Sequence, residues 1–178
     1  MRIISGKFKR KAIFPPKNFK ARPTTDVAKE SLFNIIENDY NIDSIKVLDL
    51  FGGTGSISYE FASRGCNDIT CVELNYKHYS FISKTTFELG INKEIQVTKA
   101  NVFRYLEKCP HQFDFIFADP PYDLKGIETI PELVFSNNLL LPNGTLIVEH
   151  SENTNLSHLP FFTRTKKYGS VNFSFFEI

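Results

Sequence analysis

The apolar positions of this chain follow two different periods. Ala28, Leu32, Ile35 and Ile36 recur at helical spacing, which predicts an amphipathic helix over residues 26–39. Arg22-Pro23-Thr24-Thr25-Asp26 reads as a loop ending in a helix start, because Thr and Asp side chains accept hydrogen bonds from free first-turn N–H groups. From residue 45 onward, short apolar runs alternate with helical stretches. The runs 45–51, 69–72, 95–98, 113–118 and 145–149 predict five buried strands, with helices over 56–64, 76–89, 102–108 and 129–136. Gly65 and Gly90 close two of these helices, and Pro142-Asn143-Gly144 precedes the fifth strand. Repeated strand–helix units imply an α/β fold: a parallel sheet with right-handed crossovers and helices on both faces. The end of the chain differs. Residues 161–167 and 171–176 flank Tyr168-Gly169-Ser170 as in a hairpin, which can place an antiparallel strand in that sheet. At the other terminus Ile3, Ile4, Phe8, Ile13 and Phe14 are spaced like a small two-stranded hairpin around Ser5-Gly6, and Pro15-Pro16 breaks it.

At 178 residues, 42% hydrophobic and 23% charged, the chain has the size and make-up of one folded domain and not of a disordered one. Its three cysteines lack C-x-x-C spacing, which argues against a disulfide framework or a zinc finger, and its four histidines show no metal-ligand spacing. No metal is expected. No apolar run approaches the roughly 18 residues that span a bilayer, and the N-terminus lacks the apolar stretch of a secretory signal, so a cytoplasmic protein is expected. The net charge of +1 conceals a division. Residues 1–25 hold eight basic side chains (Arg2, Lys7, Lys9, Arg10, Lys11, Lys17, Lys20 and Arg22) and no acidic one; the rest holds 13 Lys and Arg against 20 Asp and Glu. A basic arm and linker over 1–25, on a mildly acidic body over 26–178, suits a polyanionic partner such as a phosphate backbone.

Candidate chemistry gathers where predicted strands end. Asp49-Leu50-Phe51-Gly52-Gly53-Thr54-Gly55 lies between the first strand and its helix, where glycines let the backbone turn tightly and approach a ligand. Glu73 ends the next strand, 24 positions after Asp49, where a carboxylate can accept from both hydroxyls of a ribose. The pattern implies a nucleoside-containing cofactor. The dinucleotide fingerprint fails at Ser58, and Asp49 would repel a pyrophosphate but hold a cationic amino group. S-adenosylmethionine, with an amino group, a sulfonium and no phosphate, fits better than NAD.

The fourth strand runs into Asp119-Pro120-Pro121-Tyr122. Two prolines fix φ near −65° and remove two donors, leaving a stiff lip of free carbonyls. Asp119 adds carboxylate acceptors, and Tyr122 adds a ring for stacking. Such a lip can grip the exocyclic amine of a nucleobase, with Asp119 and the Pro120 carbonyl each accepting one N–H, and turn its lone pair toward a methyl donor.

These residues together resemble the RsmD-type 16S rRNA (guanine-N2)-methyltransferases. The likeness rests on Arg2-Ile3-Ile4-Ser5-Gly6, Arg22-Pro23-Thr24-Thr25-Asp26, the glycine loop with Ser63-Arg64-Gly65, Asp119-Pro120-Pro121-Tyr122 and the Tyr168-Gly169 hairpin, and covers essentially the whole chain. It implies a Rossmann-like class I methyltransferase fold, with a mostly parallel seven-stranded sheet ending in an antiparallel hairpin. It further implies S-adenosylmethionine as cofactor, held by Asp49, Phe51, Gly52, Gly53 and Gly55 at the methionine end, Glu73 at the ribose and Asn101-Val102 at the adenine. Asp119, Pro120 and Tyr122 would hold the target guanine of small-subunit rRNA, within an assembled particle. Arg2, Lys7, Lys9, Arg10, Lys11 and Arg22 would position that RNA through its phosphates, and a monomer is expected. The chain departs from the family pattern in lacking a glycine within Lys9-Arg10-Lys11 and in placing Val27 where a basic residue is usual. Two other functions stay open: adenine-N6 methylation of DNA or RNA, since adenine also offers an exocyclic amine, and a non-catalytic RNA-binding assembly factor.

Overall fold

The computed structural model describes residues 1–17, 19 and 25–178. The strands are β1 (Lys46–Leu50), β2 (Asp68–Glu73), β3 (Ile95–Lys99), β4 (Phe113–Ala118), β5 (Leu140–His150), β6 (Phe162–Tyr168) and β7 (Val171–Glu177). The helices are α1 (Asp26–Asp39), α2 (Ser56–Ser63), α3 (Tyr76–Glu88), α4 (Val102–Lys108) and α5 (Thr129–Ser136). The strands form one sheet in the order β3-β2-β1-β4-β5-β7-β6. The first five run parallel, and β7 lies antiparallel between β5 and β6. This order, with a reversed seventh strand next to the fifth, is the Rossmann-like class I methyltransferase fold.

Helices cover both faces, so the central strands are apolar on both sides. Val47, Phe115, Phe117 and Ile147 pack with Leu32, Phe33 and Ile36 of α1, Phe61 of α2 and Ile82 of α3. On the other face Leu48, Leu50, Ile116 and Val148 pack with Val102 and Leu106 of α4 and Ile130 and Val134 of α5. Helix α1 starts as its sequence predicts: the Thr25 hydroxyl oxygen accepts from the Ala28 N–H at 3.2 Å. The fifth strand differs, beginning at Leu140. Leu140 pairs with Phe113, the register slips, and Thr145 then pairs with Phe115, with Asn143 left-handed (φ 64°) inside the slip. Pro142-Asn143-Gly144 is therefore a bulge within a long strand and not a turn ahead of a short one.

The N-terminal segment doubles back as expected, but loosely. The Met1 and Ile13 backbones pair, as do Ile3 and Lys11, yet among the described residues the only bridge is Arg2 with Ala12. The turn is wide, with a 3-10 segment at Gly6–Phe8 and a left-handed Arg10 (φ 69°). The cause is Glu60 of α2. Its carboxylate accepts from the Ile4 and Ser5 N–H groups at 2.8 and 2.9 Å, which diverts them from a ladder. Gly6 adopts φ +78° with its α-carbon against α2, where a Cβ would sit 1.8 Å from the Ser63 carbonyl oxygen. Lys29 of α1, only 1% exposed, donates to the Arg2 carbonyl at 2.7 Å and lies 3.5 Å from Glu60. Burial holds its ammonium below the ordinary lysine range, Glu60 opposing that shift. Ile3 and Ile13 join the core of the face covered by α1 and α2. Among the described residues no helix is long and apolar enough to cross a membrane.

Candidate active site

Parallel strands all end at one edge, and the loops leaving that edge are tied together in series. The Asp119 N–H donates to the Leu50 carbonyl at 3.4 Å, which binds the lip after β4 to the end of β1. Two residues on, the Gly52 N–H donates to the Val72 carbonyl at 3.0 Å, and the Ala100 N–H donates to the Glu73 carbonyl at 3.2 Å. The Glu73 carboxylate completes the connection, its oxygens accepting from Gly53 N–H at 2.8 Å and Asn75 N–H at 2.6 Å. The predicted groups Asp49, the glycine loop, Glu73, Asn101 and Asp119 thus share one edge, across four neighbouring strands.

The loop is built for close approach. Phe51 takes a left-handed conformation (φ 61°), a strained state that persists only when the surroundings fix it. A Cβ on Gly52 would lie 2.4 Å from the Cys71 sulfur, so the backbone passes directly over β2. Asp49 is buried beneath, its Oδ2 accepting from the Ser58 N–H at 3.1 Å and the Ser58 hydroxyl at 2.5 Å. The residue that breaks the dinucleotide fingerprint is therefore the partner of the acid before the loop. Burial pushes the Asp49 carboxyl up to about 7, the bonds from Ser58 pull it down, and the charge of Glu73 pushes it up again. A carboxylate that already takes a loop N–H is a poor neighbour for a pyrophosphate. Asp49 and Glu73 together suit a cofactor with cationic groups and free hydroxyls.

Beyond β4, Pro120 is buried, Asp119 is half-buried and the Tyr122 ring is 43% exposed. Sequence reasoning missed Glu149. In the β4–β5 register Ala118 pairs with Val148, so the next residues, Asp119 and Glu149, leave the pair side by side. By alternation Glu149 falls on the face of Phe117 and Ile147 and is only 3% exposed, and Asp119 lies one residue past the end of β4. An acid closing the apolar run Thr145-Leu146-Ile147-Val148 was the available signal, the same one that Glu73 gives after β2. Beside it His150 is buried on the opposite face, its Nε2 sharing a hydrogen bond with Ser174 at 2.7 Å, and burial lowers its pKa. Asn101 caps α4, its side-chain oxygen accepting from the Arg104 N–H at 3.2 Å.

The predicted RNA cations divide. Arg2 lies toward this same edge, ion-paired with Asp26 at 2.6 Å. Lys7 lies at the far edge, 3.9 Å from Glu94, the residue before β3. Lys9, Arg10 and Lys11 are exposed on the return from that tip, and Arg22 lies outside the described residues.

Residues 1–177 match the family described as Conserved hypothetical protein 95. The chain belongs to this family. The proteins it resembles include Ribosomal RNA small subunit methyltransferase D from Buchnera aphidicola subsp. Baizongia pistaciae, 31% identical over 99% of this chain and 91% of that one. The protein of the same name from Haemophilus influenzae is 31% identical over 84% of this chain and 78% of that one. In structure the chain resembles yhhF from Escherichia coli, with a TM-score of 0.85 and 25% identity over 99% of this chain and 97% of that one. As an RsmD-family protein the chain is a methyltransferase, and the edge described above is where its acidic and glycine-rich loops meet.

Proposed function

We propose that the chain transfers a methyl group from S-adenosylmethionine to the exocyclic N2 of a guanine in 16S rRNA, acting as a monomer on an assembling or assembled small subunit. The observation that carries this reading is the series of bonds joining the Asp119 lip to the glycine loop and the Glu73 carboxylate. It supports reading the lip as a rim that grips a base, and the loop with Glu73 as a cradle for a cationic, phosphate-free nucleoside. Within that cradle Asp49 would hold the cationic amino group, Glu73 the ribose hydroxyls, and Phe51, Gly52, Gly53 and Gly55 would bring backbone against the methionine part. Asn101 and Val102 would flank the adenine. The cofactor supplies an electrophilic methyl on a positively charged sulfur. Everything else falls to the chain.

An exocyclic amine is a weak nucleophile because its lone pair is shared with the ring. Asp119 and the Pro120 carbonyl would each accept one of its N–H bonds, which turns the nitrogen toward tetrahedral geometry with its lone pair free. Tyr122 would stack on the base and exclude water. As the new N–C bond forms, positive charge grows on nitrogen beside the Asp119 carboxylate, and preorganised acceptors of this kind lower the barrier most. Asp119 is then placed to take the proton that the nitrogen releases.

Glu149 favours guanine over adenine. Guanine presents two neighbouring donors on its pairing edge, N1–H and the N2 amine, and two carboxylates side by side accept both. Adenine presents an acceptor at N1, which a carboxylate repels. The names of the relatives support rRNA as the substrate class, and the basic arm supports an RNA partner.

The deciding experiment incubates purified protein with labelled cofactor and either 16S rRNA or small subunits, then identifies the modified nucleoside. Methylated guanine is expected. Methyladenine would move the reading to N6 chemistry, and RNA binding without transfer would make the chain an assembly factor. Asp119→Ala should cost at least about a hundredfold in kcat, the scale of one lost preorganised group, with cofactor affinity unchanged.

A further inference from the structure

A cavity of about 520 Å³ opens beside α4, lined by Leu74, Lys99, Asn101, Arg104, Tyr105 and Lys108 among others. Leu74 directly follows Glu73 and Asn101 caps α4, so the cavity adjoins the cofactor cradle on the side away from Asp119. Its charge is wrong for that cofactor. The part of S-adenosylmethionine that Asn101 would flank is the neutral adenine, which offers no counter-charge to three cations along one wall.

Lys7, Arg64 and Lys84 on neighbouring surfaces each meet a carboxylate. Among the described residues no ion pair ties Lys99, Arg104 or Lys108. Lys99 instead sits 5.3 Å from the centre of the Tyr76 ring, itself 64% exposed. Glu107, on the same helix, is exposed and does not line the cavity. Cations without an ion pair among the described residues, with Tyr105 on the same wall and Tyr76 against Lys99, form the kind of surface that tracks a single nucleic-acid strand.

Position supports the same ligand. Lys99 ends β3, at the same sheet edge as Asp119 and three strands away, about 14 Å by strand spacing. The tip of the basic arm, by contrast, lies at the opposite edge beside Glu94. Among the described cations of the arm, the one at the Asp119 edge, Arg2, is ion-paired with Asp26, so phosphates near the reacting base need a further holder. We propose that Lys99, Arg104 and Lys108 form a phosphate dock for the RNA strand flanking the target base, with Tyr76 holding Lys99 in place. This rests on the rRNA methyl-transfer reading.

The test compares wild type with the triple variant Lys99→Ala, Arg104→Ala, Lys108→Ala, all exposed positions. Affinity for a 16S rRNA transcript is measured against salt concentration, and cofactor affinity by calorimetry. Lys84→Ala is the control for a lost surface charge. The triple variant should bind RNA more weakly, with its log–log salt slope shallower by about 2, as three lost contacts to a single strand require. Cofactor affinity should stay within twofold, and kcat at saturating RNA should stay near wild type. A slope equal to wild type, or no RNA binding by the wild type, overturns the dock. Weakened cofactor binding with RNA binding intact overturns it too and assigns the cavity to the cofactor. Failure of the wild type to methylate the RNA it binds sinks the proposed reaction alone, because the slope still reports on the dock.

Discussion

Burial pushes the Asp49 carboxyl up to about 7 from its ordinary 3.8, and Glu73 adds to that shift while the two bonds from Ser58 resist it. Two consequences follow from the sign. Without cofactor, the folded chain favours the protonated form, so Asp49 supports stability fully below about pH 4 and loses that support as pH climbs to 7. With cofactor, a cation facing Asp49 favours the ionised form, so affinity should tighten as pH rises through 7. Between pH 6 and pH 8 the ionised fraction of a group with this pKa grows about tenfold, and the cofactor dissociation constant should fall by a similar factor. Asp49→Asn should flatten both curves. Thermal unfolding across pH 4–8 and calorimetric titration at pH 6, 7 and 8 check this, and a variant that keeps the wild-type pH dependence would remove Asp49 from the cofactor site. Glu73 differs: its carboxylate already holds Gly53 and Asn75, so Glu73→Ala should weaken cofactor binding by about 1.5–3 kcal/mol, as loss of a charged hydrogen bond does. An unchanged affinity would leave it a loop brace only.

The elements α1, α2 and the N-terminal arm are joined by one buried ionic cluster. Lys29 meets Glu60 at 3.5 Å, Glu60 accepts from Arg64 at 3.0 Å, and Arg64 reaches Glu37 at 2.7 Å. Removing one partner leaves a buried charge without its counterpart, which costs roughly 3–5 kcal/mol. Lys29→Met should therefore destabilise the chain on that scale in urea unfolding, while Lys29→Met combined with Glu60→Leu should cost less than the two changes added together. Full additivity would mean that the two side chains do not interact. None of this cluster was legible in the sequence, since Lys29 and Glu60 stand 31 positions apart and each reads as a solvated helix charge. The strand–helix alternation, the glycine loop and the acid after β2 were legible, because period and spacing are local. Local reading fell short wherever a distant partner redirected the backbone. Glu60 took two N–H groups that the hairpin pattern assigned to a ladder, and the β4 pairing drew Leu140 into β5 across a sequence that looks like a turn. Ser58 read as a defect in one fingerprint until Asp49 was seen beside it.

On the scale of the whole molecule, the basic arm runs along α2 from the catalytic edge, where Thr54 contacts Met1, to the far edge, where Phe8 meets Ser63. Lys9, Arg10 and Lys11 lie on the return from that far end, with Arg10 and Lys11 paired to the Ile3 backbone. Under the proposed function these cations would hold RNA outside the reacting site, which affects capture and not chemistry. Neutralising the three should raise KM for RNA and leave kcat near wild type, with a salt slope shallower by about 2 for a single strand. The cations beside α4 begin at Lys99, the carboxyl end of β3, whereas Lys7 at the tip of the arm meets Glu94 at the amino end of that strand, so a single RNA engaging both must run the length of β3. In that case the two sets of substitutions are independent, and combining them should lower the slope by about 4. If the RNA bound one surface at a time, removing either set alone would leave the slope set by the other surface, and the two changes would not add. Salt titration of the six-fold variant separates these outcomes, because it counts phosphates held at once and not the charge the surface carries.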